Sequence, residues 1–265
     1  MVRNHQRPQR GHPGVRWSHL LGSETHHAQG ESGEVTLAHH GAILPAKEQP
    51  EYDRLWGRRT DLGKVRTGLS VSLDGFIAGP NDTPEAPMGV GGDRLLAWYG
   101  AGDTEYRMPG SDMVFMVSPQ TAEYLEETRR TTGALVFGRR TFDLTNGWGG
   151  KHPLDVPVFV VSSSVVQDWV YEGSPFTFVT DGLESAVAQA KAFAGDKDVG
   201  VGAAGIVQSC IKAGLLDEIH IDLVPVLLGG GVSLFDHLGI GPIDLEATRV
   251  VQGTGVTHLT FRVIR

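Results

Sequence analysis

The sequence predicts an α/β fold, with a mostly parallel central sheet flanked by helices and an antiparallel hairpin at the C-terminus. Three observations predict this fold. Short runs rich in Val, Ile and Phe alternate with segments of helical periodicity from residue 65 onward. Gly, Pro, Asp or Ser residues bound these runs, as is typical of strand ends. The last two runs meet at Gly253–Gly255, which predicts a hairpin turn.

The strands follow in order along the chain. The first segment covers residues 65–79 and ends in a turn at residues 79–82. Further strands are predicted over residues 134–142, 157–164, 176–180, 198–202 and 218–228, and the hairpin over 245–255 and 256–265. Helices separate most of these strands. Each helix carries the chain back to the edge of the sheet where the previous strand began, which favours parallel pairing.

Three helices are predicted between the strands. Ser118 is an N-cap residue and Pro119 suits the first helical position, so a helix is expected to begin there. Residues 183–195 repeat apolar side chains at helical spacing and stop at Gly195. The third helix is predicted over residues 204–214.

Composition and charge limit the classes of protein that fit this chain. Its 265 residues carry 23 Lys and Arg against 31 Asp and Glu, a net charge of −8, which disfavours a nucleic-acid or anionic-membrane binder. The single cysteine, Cys210, cannot form an intrachain disulfide or a thiolate-rich metal site, and it indicates a reducing compartment. Because neither a run of about 18 apolar residues nor an apolar signal segment occurs, a cytoplasmic protein is expected. No metal site is expected either.

Residues 1–66 differ chemically from the rest of the chain. They contain 10 Lys and Arg, 7 Asp and Glu and 7 of the 11 histidines, but no Phe and only 11 Leu, Ile and Val. Such a segment buries too little apolar surface to offset its ordering entropy. We therefore expect a polar, disordered leader over residues 1–64 and one domain over residues 65–265. The histidine pairs at 26–27 and 39–40 could bind a metal, but an expression remnant or a misplaced start codon also accounts for this segment.

A glycine-rich turn follows the strand at 198–202 and precedes a helix. Gly200, Gly202 and Gly205 spell G-x-G-x-x-G, and such glycines let backbone N–H groups approach a pyrophosphate at a helix N-terminus. Asp222, 17 residues after Gly205, could bind a ribose as in a Rossmann dehydrogenase, although that fingerprint normally follows the first strand. A tight turn that holds no ligand is the alternative.

Two further strand ends carry polar groups. Gly138, Arg139, Arg140 and Thr141 place two cations beside a hydroxyl, which suits the 2′-phosphate that distinguishes NADP from NAD. The alternative is a solvated basic helix start, which the helix dipole would disfavour. The next strand ends in three hydroxyls, those of Ser162, Ser163 and Ser164. These hydroxyls either bind ribose or phosphate or cap the following turn.

Taken in chain order, four segments resemble one family. They are SVSLDGFIAGPND, GRRTFD, PVFVVSSS and VGVGAAGIVQSCIKAGLLDEIHIDLVPVLLGGG. The chain resembles the dihydrofolate-reductase-like superfamily, and most of all the reductase that forms the C-terminal domain of bacterial RibD, with its stand-alone relatives. The resemblance covers about residues 65–265, and it implies a dihydrofolate-reductase-like fold that binds NADPH across the carboxyl ends of the strands.

The resemblance also implies which residues hold NADPH. The arginine-threonine motif and the serines would bind the adenosine side, and the Gly-Ala-Ala-Gly turn would bind the pyrophosphate. The loop after PVLL would lie on the nicotinamide side, although a flexible turn is the alternative there. The implied cofactor-binding set is Gly138, Arg139, Arg140, Thr141, Ser162, Ser163, Ser164, Gly202, Ala203, Ala204, Gly205, Ile206 and Gly230.

Two acids are candidates for substrate chemistry. Asp74 ends the first strand beside a turn, where it either faces the substrate or shapes the turn through its own backbone contacts. Asp93 starts a predicted helix in a region that loosely resembles the one holding the pterin-binding acid of dihydrofolate reductases, and an N-cap role is the alternative. Trp98 could stack on a flat ring, but an aromatic residue at helical spacing is also typical of a core.

The sequence therefore predicts an NADPH-dependent reductase that transfers a hydride to a small cyclic substrate, pterin-like or ribityl-pyrimidine-like. Two alternatives stay open at this point, a Rossmann-type NAD-dependent dehydrogenase and a non-catalytic nucleotide-binding dimer on the same fold. The hairpin places Val250, Leu259, Phe261 and Val263 at a predicted sheet edge with one apolar face. A homodimer that covers this face is expected, as the resemblance also implies, unless the hairpin packs on helices of its own domain.

Overall fold

The structure is a computed structural model, and it describes residues 63–236 and 238–265. The predicted leader, including its histidine pairs, lies outside the described residues apart from residues 63 and 64. The predicted domain over residues 65–265 is described at every position but one.

Nine strands of the described residues form one sheet, in the order β12-β13-β10-β1-β9-β6-β7-β8, and β2 also pairs with β10. Their bounds are β1 Val65–Arg66, β2 Leu69–Ser72, β6 Thr132–Gly138, β7 Val158–Val161, β8 Phe176–Val179, β9 Asp198–Val201, β10 Glu218–Val224, β12 Leu245–Gln252 and β13 Thr257–Val263. Pairing is antiparallel only where β13 meets β10 and β12. The other ladders are parallel, so the predicted fold class is confirmed.

Two small sheets and the helices surround this central sheet. β3 (Phe76–Ala78) pairs with β11 (Val232–Ser233), and β4 (Thr104–Arg107) forms a hairpin with β5 (Val114–Val117). The α-helices are α1 Pro119–Thr131, α2 Arg139–Leu144, α3 Leu183–Ala194 and α4 Ala204–Lys212. A 3₁₀ helix covers Gly92–Gly100, and shorter 3₁₀ turns cover Asn146–Gly150 and Gln167–Trp169.

Local signals set several of these boundaries. The Ser118 hydroxyl accepts a hydrogen bond from the Thr121 amide, which caps α1 as predicted. Gly195, with φ 65°, ends α3, as predicted from the sequence. The predicted strand over residues 134–142 was wrong in its second half, because the strand ends at Gly138 and α2 begins at the next residue.

Two other differences concern the first hundred residues of the domain. The predicted strand over residues 65–79 is divided into three. The second break falls at Gly75, which has φ 89° and whose amide closes a turn onto the carbonyl of Ser72. The β4–β5 hairpin was not predicted. Its strands have only four residues each and alternate exposed with less exposed side chains, so they give a weak apolar pattern.

Apolar side chains cover both faces of the central sheet. One face packs against α3 and α4 around a core that includes Val136, Val199, Val207 and Cys210. The opposite face, called the front face below, is covered in two places. The 3₁₀ helix and the β4–β5 hairpin cover one part through Leu95, Trp98 and Phe115, and an aromatic cluster around Phe142 and Phe176 covers the other. Trp98 is therefore a core residue, only 2% exposed.

A buried cation joins the amino ends of the central strands. The Arg66 side chain is 4% exposed, and its Nε donates to Asp198 Oδ2 at 2.9 Å. Its Nη2 donates to the Thr132 hydroxyl at 2.6 Å and to the Thr128 carbonyl at 3.2 Å. These bonds tie β1 to β9 and to the junction between α1 and β6, so the guanidinium stabilises the relative position of three elements.

Replacing Arg66 by Met removes these bonds and leaves Asp198 without its buried partner. We expect a loss of about 3–5 kcal/mol in the free energy of unfolding, the range found when one member of a buried ion pair is removed. The exposed Arg107–Glu105 pair offers a matched control, since Arg107→Met should cost at most about 1 kcal/mol. Urea unfolding of both variants measures the difference, and equal losses would contradict the role given to Arg66.

Candidate functional site

Three turns from the predicted set lie side by side at the carboxyl ends of neighbouring strands. β6 lies between β9 and β7, with Val136 opposite Val201 and Gly138 opposite Val161. The turn after β9, the start of α2 and the serines after β7 therefore leave the sheet at the same edge. Adjacent parallel strands lie about 4.8 Å apart, so a ligand with several anionic groups can contact all three turns.

The N-terminus of α4 supplies unpaired hydrogen-bond donors at this edge. The Ala203 carbonyl accepts from Val207, the first bond of the helix, and no side chain in the described part of the chain caps this end. The amides of Ala204, Gly205 and Ile206 therefore have no acceptor within the helix. A Cβ built on Gly205 would meet nothing within 4 Å, so open space lies beside this residue. Such an end carries partial positive charge and suits a phosphate group.

Close packing requires glycine at one of these turns and shows that two of the turns are neighbours. A Cβ on Gly202 would lie 2.6 Å from Cε1 of Phe137, so only glycine lets the turn approach that ring. A Cβ on Gly138 would lie 3.5 Å from Cγ1 of Ile206, which shows that the turn before α2 and the first turn of α4 are in contact. The structure therefore brings Gly138 and Ile206 together, as the predicted cofactor set requires.

Both predicted arginines lie in the first turn of α2, and both have carboxylate partners. Arg139 Nε donates to the two oxygens of Asp143 at 2.8 and 2.9 Å. Arg140 Nη2 donates to Asp82 at 2.6 Å, and its side chain is 69% exposed. The carboxylates offset the repulsion between two cations and the positive helix end. Thr141 follows them and is half-buried.

The three serines after β7 differ in the hydrogen bonds that their hydroxyls make. The Ser162 hydroxyl donates to the Ser164 carbonyl at 2.7 Å and accepts from the Ser164 amide, so it shapes the turn. Within the described residues, the hydroxyls of Ser163 and Ser164 have no hydrogen-bond partner, and both residues are exposed. These two hydroxyls therefore remain available to a ligand.

Asp74 links two loops at the carboxyl edge. Its carboxylate accepts from the Ser72 hydroxyl at 2.6 Å, from the Leu228 amide at 3.1 Å and from the Gly229 amide at 2.7 Å. The bond from Ser72, together with the two backbone amides, lowers the pKa of Asp74 below its ordinary value. The geometry matches the turn-shaping alternative, and it joins the loop after β2 to the loop after β10. A substrate-facing role for Asp74 stays a prediction.

The remaining predicted residues lie at or near these loops. Gly231 has φ 134°, and a Cβ there would lie 2.0 Å from the Ala78 carbonyl, so this position requires glycine. Gly230 beside it borders open space. Asp93 is exposed and makes no hydrogen bond or ion pair with another described residue, and the N-cap of its 3₁₀ helix is Gly91.

Sequence reasoning missed His152, which lies near the same edge. Its ring stacks on Phe137 at a centroid distance of 5.7 Å and meets the edge of Trp148 at 4.8 Å. Burial lowers its pKa to about 4, so the ring is neutral at physiological pH. The sequence signal for His152 was weak, because the GGKHP segment that contains it is typical only of a turn.

A cavity of about 750 Å³ lies at the opposite edge, around the amino ends of the central strands. Most of its charged groups form pairs with one another, among them Lys64 with Glu218, Arg66 with Asp198 and Arg249 with Glu127. Arg130 and Lys197 also line it and form no ion pair with another described residue. Across the described residues, no three His, Cys, Asp or Glu side chains converge on a metal position, and no helix is long and apolar enough to cross a bilayer.

The chain is similar to known proteins in sequence and in fold. The family model of the RibD C-terminal domain matches residues 64–259. An uncharacterised Bacillus subtilis protein, YwjB, is 27% identical over 177 residues, which cover 64% of this chain and 81% of YwjB. A crystal structure of a putative riboflavin biosynthesis protein from Shewanella sp. PV-4 has 23% identity and a TM-score of 0.54, and the match covers 76% of this chain and 99% of that one. Dihydrofolate reductase from Enterococcus faecalis, complexed with NADP(H), has 15% identity and a TM-score of 0.42, over 77% and 98% of the two chains.

Asp74→Asn tests the link between the two loops. The amide keeps one acceptor oxygen but turns an NH₂ group toward the second backbone donor, so we expect hydrogen-exchange protection at Leu228 and Gly229 to fall roughly 10-fold. Because the pKa is lowered in the folded state, the native protein should keep this protection above the unfolded pKa of about 4 and lose it as the pH falls through the folded value. Asp112→Asn, at an exposed carboxylate, is the control, and unchanged protection in Asp74→Asn would contradict the link.

Proposed function

The chain belongs to the RibD C-terminal domain family, and from this premise we propose that it is an NADPH-dependent reductase. It transfers a hydride to a small cyclic substrate, pterin-like or ribityl-pyrimidine-like. The observation that carries the proposal is the N-terminus of α4, which no side chain of a described residue caps and where a Cβ on Gly205 would meet open space. Ile206 of this turn lies near Gly138, the residue before the two arginines of α2. This combination suits a ligand with a pyrophosphate and a further phosphate.

Each part of the edge has a proposed role toward the cofactor. NADPH supplies the hydride when it is bound. The amides of α4 bind its pyrophosphate, Arg139 and Arg140 bind the 2′-phosphate by exchanging their carboxylate partners for it, and the serines meet the adenosine side. The loop of Gly230, held by Asp74, lies on the nicotinamide side. The protein thus orients the cofactor and excludes water from one side of it. A reductase that uses NADPH in this way is proposed to act in the cytoplasm, where the buried Cys210 stays reduced.

The Rossmann-type alternative does not agree with the fold. The glycine-rich turn follows β9, which lies in the interior of the sheet between β1 and β6 and is not the first strand of the chain. The acid expected at the ribose, Asp222, instead accepts a hydrogen bond from a buried histidine of β13. A turnover measurement distinguishes the reductase from the non-catalytic alternative. A reductase oxidises NADPH when a suitable cyclic acceptor is present, whereas a protein that only binds the nucleotide does not.

Cofactor preference tests the role of the two arginines. We expect NADPH to bind at least about 10-fold more tightly than NADH, because each charge-assisted hydrogen bond contributes about 1.5–3 kcal/mol before solvent screening. The double variant Arg139→Ala, Arg140→Ala should lose this preference while its NADH affinity stays nearly unchanged. Isothermal titration calorimetry measures the affinities of the native protein and of the double variant for NADPH and for NADH.

Two other exposed, paired arginines provide the control for charge loss alone. Arg107 pairs with Glu105 and Arg262 with Glu246, and both guanidiniums are more than half exposed. The double variant Arg107→Ala, Arg262→Ala should keep the native preference for NADPH. Equal affinities of NADPH and NADH for the native protein would contradict the assignment of the phosphate site.

We further propose that the protein is a homodimer formed through the β12 edge. In the described residues β12 has no strand on its outer side, and Val250 is 63% and Leu245 44% exposed. They lie opposite Leu259 and Val263 of β13, so the apolar face continues across the hairpin. Phe261 and Val263 are half-buried against the core, which leaves the outer part of this face uncovered. A second copy of the chain, related by a two-fold axis, would cover this part, and two-fold dimers are the commonest closed assemblies.

Sedimentation at micromolar concentration tests the dimer. The native protein should have about twice the chain mass of 28.5 kDa, and Val250→Glu should return it to the single-chain mass without unfolding, because the charge then lies at the contact. Phe193 is as exposed as Val250 but lies on α3, so Phe193→Glu should remain dimeric. A native mass near 28.5 kDa would overturn the proposal.

A further inference from the structure

The cavity at the amino ends of the strands lies between α1 and the central sheet. Arg66 of β1 lies opposite Glu218 of β10, and Glu218 lies opposite Arg262 of β13 in the next ladder. Directly opposite residues point to the same face of a sheet, so these three side chains form one row. Tyr124 and Thr128 of α1 also line the cavity. Its volume of about 750 Å³ is within the range of small-molecule sites.

The lining of this cavity has an excess of positive charge. Its described residues include six Lys or Arg and four Asp or Glu side chains, whereas the whole chain has a net charge of −8. Three of the four acids form ion pairs with cations of the same lining, and Asp196 has no such pair among the described residues. Arg130 and Lys197 are exposed, and they likewise have no described ion-pair partner. The unpaired groups of the lining are therefore two cations and one acid.

Arg66 presents a further donor to the same cavity. Its side chain is 4% exposed, and its Nε and Nη2 donate to the partners described above. Nη1 has no hydrogen bond among the described residues and is not among their buried unpaired atoms, and Arg66 lines the cavity. This nitrogen therefore reaches the open space of the cavity. Because the guanidinium is planar and held through its other nitrogens, the N–H groups of Nη1 have a fixed direction.

Gly68 gives the position of this nitrogen. A Cβ built on Gly68 would lie 4.0 Å from Arg66 Nη1, and it would meet no other atom within that distance apart from its neighbours in the chain. Gly68 is exposed and lies between β1 and β2. A small ligand group therefore has access to Nη1 from the side of Gly68.

We propose that this cavity is a phosphate-binding site separate from the cofactor edge, and that Arg66 Nη1, Arg130 and Lys197 bind one phosphate group there. A guanidinium with fixed N–H groups matches the oxygens of a phosphate, and the two unpaired cations offset its double negative charge. The phosphate is either free or part of a monoester, since the cavity is much larger than a phosphate ion and has room for the organic part of an ester.

The site is independent of the proposed reductase function. It lies at the amino ends of the strands, whereas the turns proposed to bind NADPH lie at the carboxyl ends. Both ligands therefore bind at the same time. A phosphate at the amino ends contacts α1 and β1 together with the residue before β9, so it should also stabilise the fold by mass action.

Titration of the full chain with inorganic phosphate, followed by ¹H–¹⁵N shifts, tests the site. Chloride keeps the ionic strength constant, because salt screens exposed charges, and the pH stays above the second pKa of phosphate. We expect saturable changes at the amides of Gly68 and Asp198, with the same affinity when NADPH is present. Changes at Gly205 report binding at the cofactor edge and are analysed separately, so failure of the cofactor site does not affect this result.

Two double variants test the unpaired cations. Arg130→Gln, Lys197→Gln should weaken phosphate binding at the amino ends about 10-fold, because it removes two charge-assisted contacts. Lys191→Gln, Lys212→Gln removes the same charge from α3 and α4, outside the cavity, and its affinity should stay within twofold of the native value. Both pairs of residues are at the surface, and melting temperatures check that the variants fold.

Gly68→Asp tests Arg66 without removing its buried bonds. The short side chain places a carboxylate within reach of Nη1, where it should compete with phosphate. We expect this variant to bind phosphate about 10-fold more weakly than Gly68→Asn, which has the same size and no charge. Its melting temperature should be at least that of Gly68→Asn, because Nη1 gains a charged partner.

Glycerol 3-phosphate distinguishes the two sources of the phosphate group. Tighter binding of glycerol 3-phosphate than of inorganic phosphate would assign the site to a monoester, and the reverse order to the free ion, and both results support the site. Four results would overturn the proposal. They are no saturable change at Gly68 and Asp198, loss of that change when NADPH is present, an equal effect of the two double variants, and equal affinities of Gly68→Asp and Gly68→Asn.

Discussion

Parallel pairing of the central strands is the constraint on which every proposed ligand contact depends. The ladders of β2 with β10, of β9 with β6 and of β6 with β7 all run in the same direction. The turn of Asp74, the uncapped start of α4, the arginines of α2 and the serines therefore emerge at one edge. Reversing any one strand would move its turn to the other edge, where Arg66 binds Asp198.

The proposed cofactor contacts use one kind of group, because the donors at the carboxyl edge are backbone amides and guanidiniums. Such donors suit phosphate oxygens and define little else about the ligand. At the same edge Asp74 holds the loops of β2 and β10 together by accepting three hydrogen bonds.

Local signals were sufficient for much of the fold and for the position of the cofactor turns. The cap at Ser118, the stop at Gly195 and the turn at Gly253–Gly255 each depend on residues close in sequence, and each is found where it was predicted. The boundary at Gly138 was missed because two arginines at a helix start are unfavourable alone. Asp143, one turn later, and Asp82, in a distant loop, offset that cost.

The roles of the acids depend on distant residues and could not be predicted. Asp74 binds amides 154 and 155 positions away, and Asp222 binds a histidine 36 positions away, so neither environment is visible in a local pattern. The sequence identified Asp222 only as a ribose ligand of a different fold. The registers of β2 and β13 on either side of β10 place Ser70 and His258 beside it.

Backbone amide shifts on titration with NADPH test the central claim most directly, because they report where the dinucleotide binds without any substitution. The account predicts the largest ¹H–¹⁵N changes at Gly205 and Ile206 in the first turn of α4, with smaller ones at the start of α2 and after β7. Changes concentrated instead around the cavity at the amino ends of the strands, near Arg66 and Asp198, would contradict it.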